Sequence, residues 1–206
     1  MRRLLAALLA LITGCSAPDY PPLGLTASHA NAYNATVVVL DPDDEVALCT
    51  GEFIAPDRIA TAAHCLEPYE AQVGDMLSYI PFSALATKDL TPQLAAVHAV
   101  SVELDLAVLR SLEPSKVWVT IGEAPAPGSI VHALGHPRGK LYTETHGFVL
   151  RATDEVITAL VLVNFGSSGG GLYNGNYELV GITLRMFAGG NVAQFGNAAQ
   201  LRALMK

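Results

Sequence analysis

Apolar residues fall along this chain in short runs, many of them β-branched, with turn residues between. The runs occupy 35–40, 46–49, 52–54, 58–61, 76–80, 94–101, 106–110, 117–121, 130–134, 147–152, 155–163 and 178–185. Clusters such as Asp41-Pro42-Asp43-Asp44 punctuate them. Many short β-branched runs, with almost no sustained 3.6-residue period, predict an all-β fold, sandwich or barrel. One helix signal is clear: Asn197 can cap residues 198–205, and Gln200 stands where a capping box places its Gln. The segment 111–115, which holds Pro114, is the expected boundary between two β halves, about 33–112 and about 116–206.

The N-terminus departs from this pattern. Arg2 and Arg3 precede an unbroken apolar run at 4–12, too short to span a bilayer as a helix, which reads as a secretory signal. It ends in Ile12-Thr13-Gly14-Cys15, which resembles the bacterial lipobox. The resemblance implies removal of residues 1–14 and a diacylated Cys15 as the first mature residue. Ser16 follows, and in Gram-negative lipoproteins a residue other than Asp there implies sorting to the outer membrane. In a Gram-positive host the anchor would hold to the cell membrane. Residues 15–32, rich in Pro and small side chains after the cysteine, are expected to form a flexible tether. The expected location is therefore exported and membrane-anchored, facing the periplasm or the surface.

With 206 residues, 51% of them hydrophobic and 15% charged, the chain can fill the core of one domain or of two small packed halves. Its formal net charge is −7, and no Lys/Arg cluster follows residue 3. That balance excludes nucleic acid as a partner and gives no electrostatic pull toward anionic lipid. Of the three cysteines, two remain for pairing if Cys15 carries lipid: Cys49 and Cys65.

Hydrolysis by a serine nucleophile needs a hydroxyl, an imidazole base, a carboxylate that orients the imidazole, and backbone N–H groups for the oxyanion. Thr61-Ala62-Ala63-His64-Cys65 resembles the histidine motif of the chymotrypsin-like serine peptidases. In that family the Cys after the His pairs with a Cys sixteen residues earlier, which is where Cys49 stands. Asp105, followed by Leu106-Ala107-Val108-Leu109, is similar to the family's acid before an apolar strand. Glu103 would share a strand face with it, so alternation alone does not choose between them; the family pattern selects Asp105. Gly166-Ser167-Ser168-Gly169-Gly170 resembles Gly-x-Ser-Gly-Gly, which selects Ser168 over Ser167 and implies an oxyanion hole from the N–H groups of Gly166 and Ser168. The same residues fit the nucleophile elbow of α/β-hydrolases, but no histidine follows Ser168, as that chain order requires.

Further stretches look like the bacterial HtrA/Deg-type protease domain: residues 133–139 (Ala-Leu-Gly-His-Pro-Arg-Gly), 164–182 and 192–204. Together the resemblance covers roughly 33–205 and implies two antiparallel six-stranded β-barrels with a short C-terminal helix, acting on protein or peptide substrates. No PDZ domain is expected to follow. Ser167 replaces the Asp that trypsins use for zymogen activation, so activation by cleavage is not expected. By the same resemblance Leu162 lies at the base of the specificity pocket, and Thr183, Leu184 and Arg185 form one wall. This favours a small or medium apolar side chain before the scissile bond, with an acidic one, matched to Arg185, as the alternative. His132 and His136 lie on a strand and a turn without a third ligand, so neither metal nor cofactor is expected. Asp41, Asp43, Asp44 and Glu45 read as a solvated turn rather than a calcium loop. Two other functions fit the same scaffold: a binding module that no longer cleaves, its pocket shaped or closed by Phe165, and an esterase.

Overall fold

The structure is a computed structural model that describes residues 26–40, 47–67, 70–88, 90–187 and 191–206. Cys15 with the signal segment, and the acidic turn of Asp41, Asp43, Asp44 and Glu45, lie outside these residues. No helix among the described residues is long and apolar enough to cross a membrane.

Twelve strands close into two antiparallel barrels. The first holds β1 (Thr36–Leu40), β2 (Ala47–Ala55), β3 (Arg58–Ala62), β4 (Met76–Pro81), β5 (Gln93–Ser101) and β6 (Leu106–Ser111), in the order β1-β2-β3-β6-β5-β4. The second holds β7 (Ile130–Gly135), β8 (Thr143–Ala152), β9 (Val156–Leu160), β10 (Gly171–Tyr173), β11 (Leu179–Met186) and β12 (Val192–Asn197), in the order β10-β11-β12-β9-β8-β7. Register shifts at Val39/Leu40, Val97/Ala99 and Thr183/Arg185 supply the local bends that barrel closure needs. Along β5 the pattern is alternating, with Ala95 and Val97 buried. Along β1 every residue is buried, because helices pack outside this side of the barrel.

The core is continuous between the barrels. Leu134, Tyr173, Leu179, Ile182 and Leu184 of the second barrel join the cluster that fills the first. A separate cluster around Val131, Val149, Ile157, Leu172 and Phe195 fills the second.

Several elements differ from the sequence expectation. Runs 46–49 and 52–54 fuse into the single strand β2, since both pair with β1. Run 117–121 forms no strand: only Ile121 bridges, in parallel, to Leu179. Pro114, Pro125 and Pro127 around it restrict ladder formation. Residues assigned to the tether up to 32 overlap a helix, α1 (Ala27–Ala35), capped by Thr26, whose hydroxyl accepts from His29 N at 3.2 Å. Its sequence has no apolar stripe; burial of Ala32, Tyr33 and Ala35, together with polar contacts to β8, holds it. A second unforeseen helix, α2 (Phe82–Thr87), follows β4. The C-terminal helix begins as a 3-10 turn at Ala198–Gln200, capped by Asn197, and continues as α3 (Leu201–Leu204), with Leu201 fully buried against the first barrel's core.

Candidate active site

Strand β3 ends at Ala62, and the chain tightens into a 3-10 turn, Ala63–Cys65, that carries His64. Cys65 is bonded to Cys49 of β2, which ties this turn to the barrel wall. Strand β6 lies beside β3, with Ala62 opposite Leu106, so the residue just before β6 arrives next to His64. That residue is Asp105. It takes a left-handed backbone conformation, φ 54°, which is costly for a side chain with a Cβ. The conformation is held from both ends: the Asp105 carbonyl accepts from Ala63 N at 3.1 Å, and its Oδ1 accepts from His64 N at 2.9 Å. The carboxylate therefore caps the turn that bears the histidine. It also faces the ring, with Oδ2 at 2.9 Å and Oδ1 at 3.1 Å from His64 Nδ1. A carboxylate only accepts, so Nδ1 carries the hydrogen and Nε2 is left as the base. The hydrogen bond to Asp105 is the main reason the His64 pKa lies above 6.5; partial burial opposes it. Glu103 is exposed, and among the described residues the hydrogen-bond partner of the His64 ring is Asp105.

Ser168 lies in the loop before β10. Gly169 N donates to Thr183 O at 2.8 Å, and Ser168 O accepts from Thr50 N at 2.8 Å, so one barrel holds each side of the serine. Gly169 has φ +81°, and a Cβ there would fall 2.0 Å from Thr50 O, so only glycine fits. Ser167 is buried, and its Oγ accepts from Asn164 N at 3.4 Å. Ser168 instead lines a cleft of about 590 Å³ together with His64. Among the described residues no hydrogen bond joins His64 to Ser168. Such contacts are commonly long without substrate and tighten when it binds.

Two peptide units are fixed so that their N–H groups face away from the loop's own bonds. The Phe165 carbonyl accepts from Arg138 N at 2.7 Å, and the Ser167 carbonyl accepts from Gly170 N at 2.9 Å. In a trans peptide the N–H points opposite its C=O. The N–H groups of Gly166 and Ser168 are thus directed away from these anchors, and both residues line the cleft. Gly166 has φ +91°, and a Cβ there would meet His136 O at 2.5 Å.

Behind this loop stands a strut that the sequence did not reveal. Thr50 of β2 donates its hydroxyl to Gly166 O at 2.8 Å, and the same oxygen lies 2.8 Å from His136 Nδ1. The one hydroxyl hydrogen is given to Gly166, so His136 Nδ1 donates to Thr50. Burial pushes the His136 pKa down to about 3, so the ring is neutral, as that chain of bonds requires. His136 belongs to the 133–139 motif, and it is separated in role from His132, which faces β8. The motif marked the segment; nothing in the sequence marked Thr50.

The specificity wall is reached only in part. Thr183, Leu184 and Arg185 line the cleft, with Thr183 and Leu184 buried and Arg185 exposed. Leu162 does not: its side chain is 54% exposed and lies outside the cleft, whereas Val163 lines it. The extended segment alternates, with Val161 and Val163 inward and Leu162 outward, so the pocket residue is offset by one from the expectation. Phe165 is 76% exposed at the rim, and the cleft stays open beside it.

A sequence model of the trypsin-like peptidase domain matches residues 49–182, which include His64, Asp105 and Ser168. The chain belongs to the trypsin-like peptidase family and is a serine-type peptidase. No curated protein sequence matches it significantly. Among solved structures, the active form of the Rv3671c protease from M. tuberculosis is similar at 22% identity and a TM-score of 0.71, over 87% of this chain and 82% of that one. The serine endoprotease from Yersinia pestis is similar at 20% identity and a TM-score of 0.71, over 88% of this chain and 66% of that one. The HtrA-type protease AlgW, solved with a decapeptide, is similar at 19% identity and a TM-score of 0.71, over 86% of this chain and 65% of that one. The fold is that of the chymotrypsin-like, HtrA-type protease domain.

Proposed function

We propose that the protein is an exported, lipid-anchored serine endopeptidase whose triad is His64, Asp105 and Ser168. The observation that carries this reading is the bidentate approach of Asp105 to His64 Nδ1, on a ring that shares one cleft with Ser168. Ser168 Oγ attacks the substrate carbonyl carbon while His64 Nε2 takes its proton. The oxyanion that forms receives the N–H groups of Gly166 and Ser168, whose orientation is set before substrate arrives. His64 then returns the proton to the leaving amine, and the acyl group stays on Ser168 until water, activated by the same imidazole, releases it. Asp105 keeps the tautomer and stabilises the imidazolium.

Substrate preference follows the walls of the cleft. Val163, Leu184 and Met186 are apolar, and no buried carboxylate, Lys or Arg lines the cleft among the described residues. A small or medium apolar side chain before the scissile bond fits best. The lipobox-like Ile12-Thr13-Gly14-Cys15 supports a membrane anchor through Cys15, with protein substrates met outside the cytoplasm.

The test is covalent labelling with a fluorophosphonate, mapped by mass spectrometry beside a His64→Ala control. Label on Ser168 that is absent from the control is expected. A folded protein that takes no label, or takes it equally in the control, would sink the proposal.

A further inference from the structure

The second barrel carries a cluster of histidines and a carboxylate apart from the catalytic cleft. Strands β7 and β8 pair so that His132 stands opposite His146. Glu144 is two residues before His146 and so shares its face of β8. Three ligand-type atoms converge: His132 Nδ1, His146 Nδ1 and Glu144 Oε1, separated by 2.8 Å between the nitrogens, 3.0 Å from His132 to Glu144, and 3.9 Å from His146 to Glu144.

Hydrogen bonding alone serves these contacts poorly. An imidazole nitrogen has one in-plane direction, holding either a hydrogen or a lone pair. His132 Nδ1 faces a carboxylate oxygen at 3.0 Å, another Nδ1 at 2.8 Å and the Tyr177 hydroxyl at 3.3 Å. If it carries the hydrogen, that hydrogen cannot lie along all these directions. If it does not, it sits bare beside an anionic oxygen. A cation among the three atoms removes the conflict. Ligands at about 2.0–2.1 Å from a tetrahedral ion lie about 3.3–3.4 Å from one another. The observed separations of 2.8, 3.0 and 3.9 Å bracket that value.

The surroundings match what a metal-binding carboxylate needs. Tyr177 donates to Glu144 Oε1 at 2.8 Å. The other oxygen, Oε2, accepts from Tyr33 at 2.9 Å and lies 2.8 Å from His29 Nε2. Such outer partners fix a ligand's orientation before the ion arrives. Glu144 and His132 are largely shielded, with side chains 11% and 16% exposed, whereas His146 is 64% exposed and leaves a solvent-facing position. His29 and Tyr33 belong to α1, so the same carboxylate joins this helix to the second barrel.

We propose that His132, His146 and Glu144 bind one zinc-type divalent ion, with water in the fourth position, and that the ion fastens the junction between α1 and the second barrel. The donor set of two imidazoles and a carboxylate suits zinc over the hard cations magnesium and calcium. The sequence hid the site because the histidine spaced from His132, His136, lies on a turn and faces Thr50, whereas the partners of His132 come from across a strand pair.

The test uses the full chain without a histidine tag, freed of metal by a chelator. Zinc is titrated calorimetrically, and Co²⁺ is followed by visible absorption. One zinc per chain is expected, with Co²⁺ bands of a four-coordinate ion and a higher thermal midpoint on zinc addition. His146→Ala, at an exposed position, is expected to weaken binding at least about tenfold and to abolish the thermal shift. His64→Ala is expected to bind as the parent does. The proposal is overturned if the parent binds no zinc, if His146→Ala titrates like the parent, or if His64→Ala removes the binding.

Discussion

Glu52 should make this protein less stable as pH rises, and Glu52→Gln should remove that loss. The side chain is fully buried where the barrels meet. Gly171 N donates to Oε1 at 2.9 Å, and the Tyr173 hydroxyl donates to Oε2 at 2.8 Å. Thr36 Oγ1 lies 2.9 Å both from Oε2 and from the Ala32 carbonyl. The threonine has one hydrogen for two acceptors. A neutral Glu52 resolves the count, since its own hydrogen can go to Thr36 while Thr36 donates to Ala32. Burial pushes the Glu52 pKa from an ordinary 4.5 up to about 8, against the lowering effect of its hydrogen bonds. Between these values the unfolded chain has lost the proton and the native chain holds it. The native state then binds more protons, so stability falls as pH rises and levels off above about 8. At 1.36 kcal/mol per pKa unit, the loss reaches about 3 kcal/mol by pH 7 and about 5 kcal/mol above pH 9, an upper range for one group. Tyr173 and Tyr142, the other titratable groups facing it, are both raised and stay protonated through this window. The assay is urea unfolding of parent and Glu52→Gln from pH 4 to 9. The parent-minus-variant difference should fall with pH by several kcal/mol. A flat difference, or one that rises with pH, would mean that the three donors keep Glu52 ionised in the native state and would refute the reasoning.

The remaining predictions concern catalysis and the anchor. The parent's kcat/KM should decline as pH drops through a His64 pKa above 6.5, because the base must be neutral. Asp105→Asn removes the charge, and with it the charge-assisted bond that raises this pKa, and its amide can hold the ring in the wrong tautomer. The limb should therefore shift down and kcat should fall on the order of 10⁴, read from a pH–rate profile on a peptide substrate. Thr50→Val should lower kcat by roughly tenfold or more with a smaller change in KM, and cost about 1–3 kcal/mol in urea unfolding, because Gly166 O and His136 Nδ1 lose their shared partner. Cys15→Ser should abolish incorporation of labelled palmitate and move the protein from the membrane to the soluble fraction.

The elements most legible in the sequence are those whose residues answer to a local rule. Strand runs such as 58–61 and 106–110 alternate with turn residues and emerge as β3 and β6. The glycines around Ser168 are dictated by backbone space, as the 2.0 Å approach at Gly169 makes plain. Less legible were elements held from outside themselves. Helix α1 has no apolar stripe and rests on Glu144, more than a hundred residues away. Leu162 was displaced because its position was carried over by counting back from Ser168, whereas its side chain's direction follows from the alternation of 161–163. Thr50 carries no motif, and its partners Gly166 and His136 are distant in sequence.

Strand β2 links these observations. Thr50 and Glu52 are two apart, so both face the second barrel. Thr50 N holds the Ser168 carbonyl from the strand's edge, and from the shared face the Thr50 hydroxyl holds the Gly166 carbonyl and Glu52 holds Gly171 N and the Tyr173 hydroxyl. Two residues of the first barrel thus hold both ends of the loop that bears Ser168. His64, the proposed base, follows β3, beside β2, and the disulfide fixes its turn to β2 as well. One strand therefore sets the position of the base and the serine relative to each other. Ionising Glu52 leaves a buried charge in this same junction, where desolvation outweighs the hydrogen bonds that favour it. The pH-dependent loss of stability therefore originates beside the loop that bears Ser168, and Glu52→Gln should remove it there.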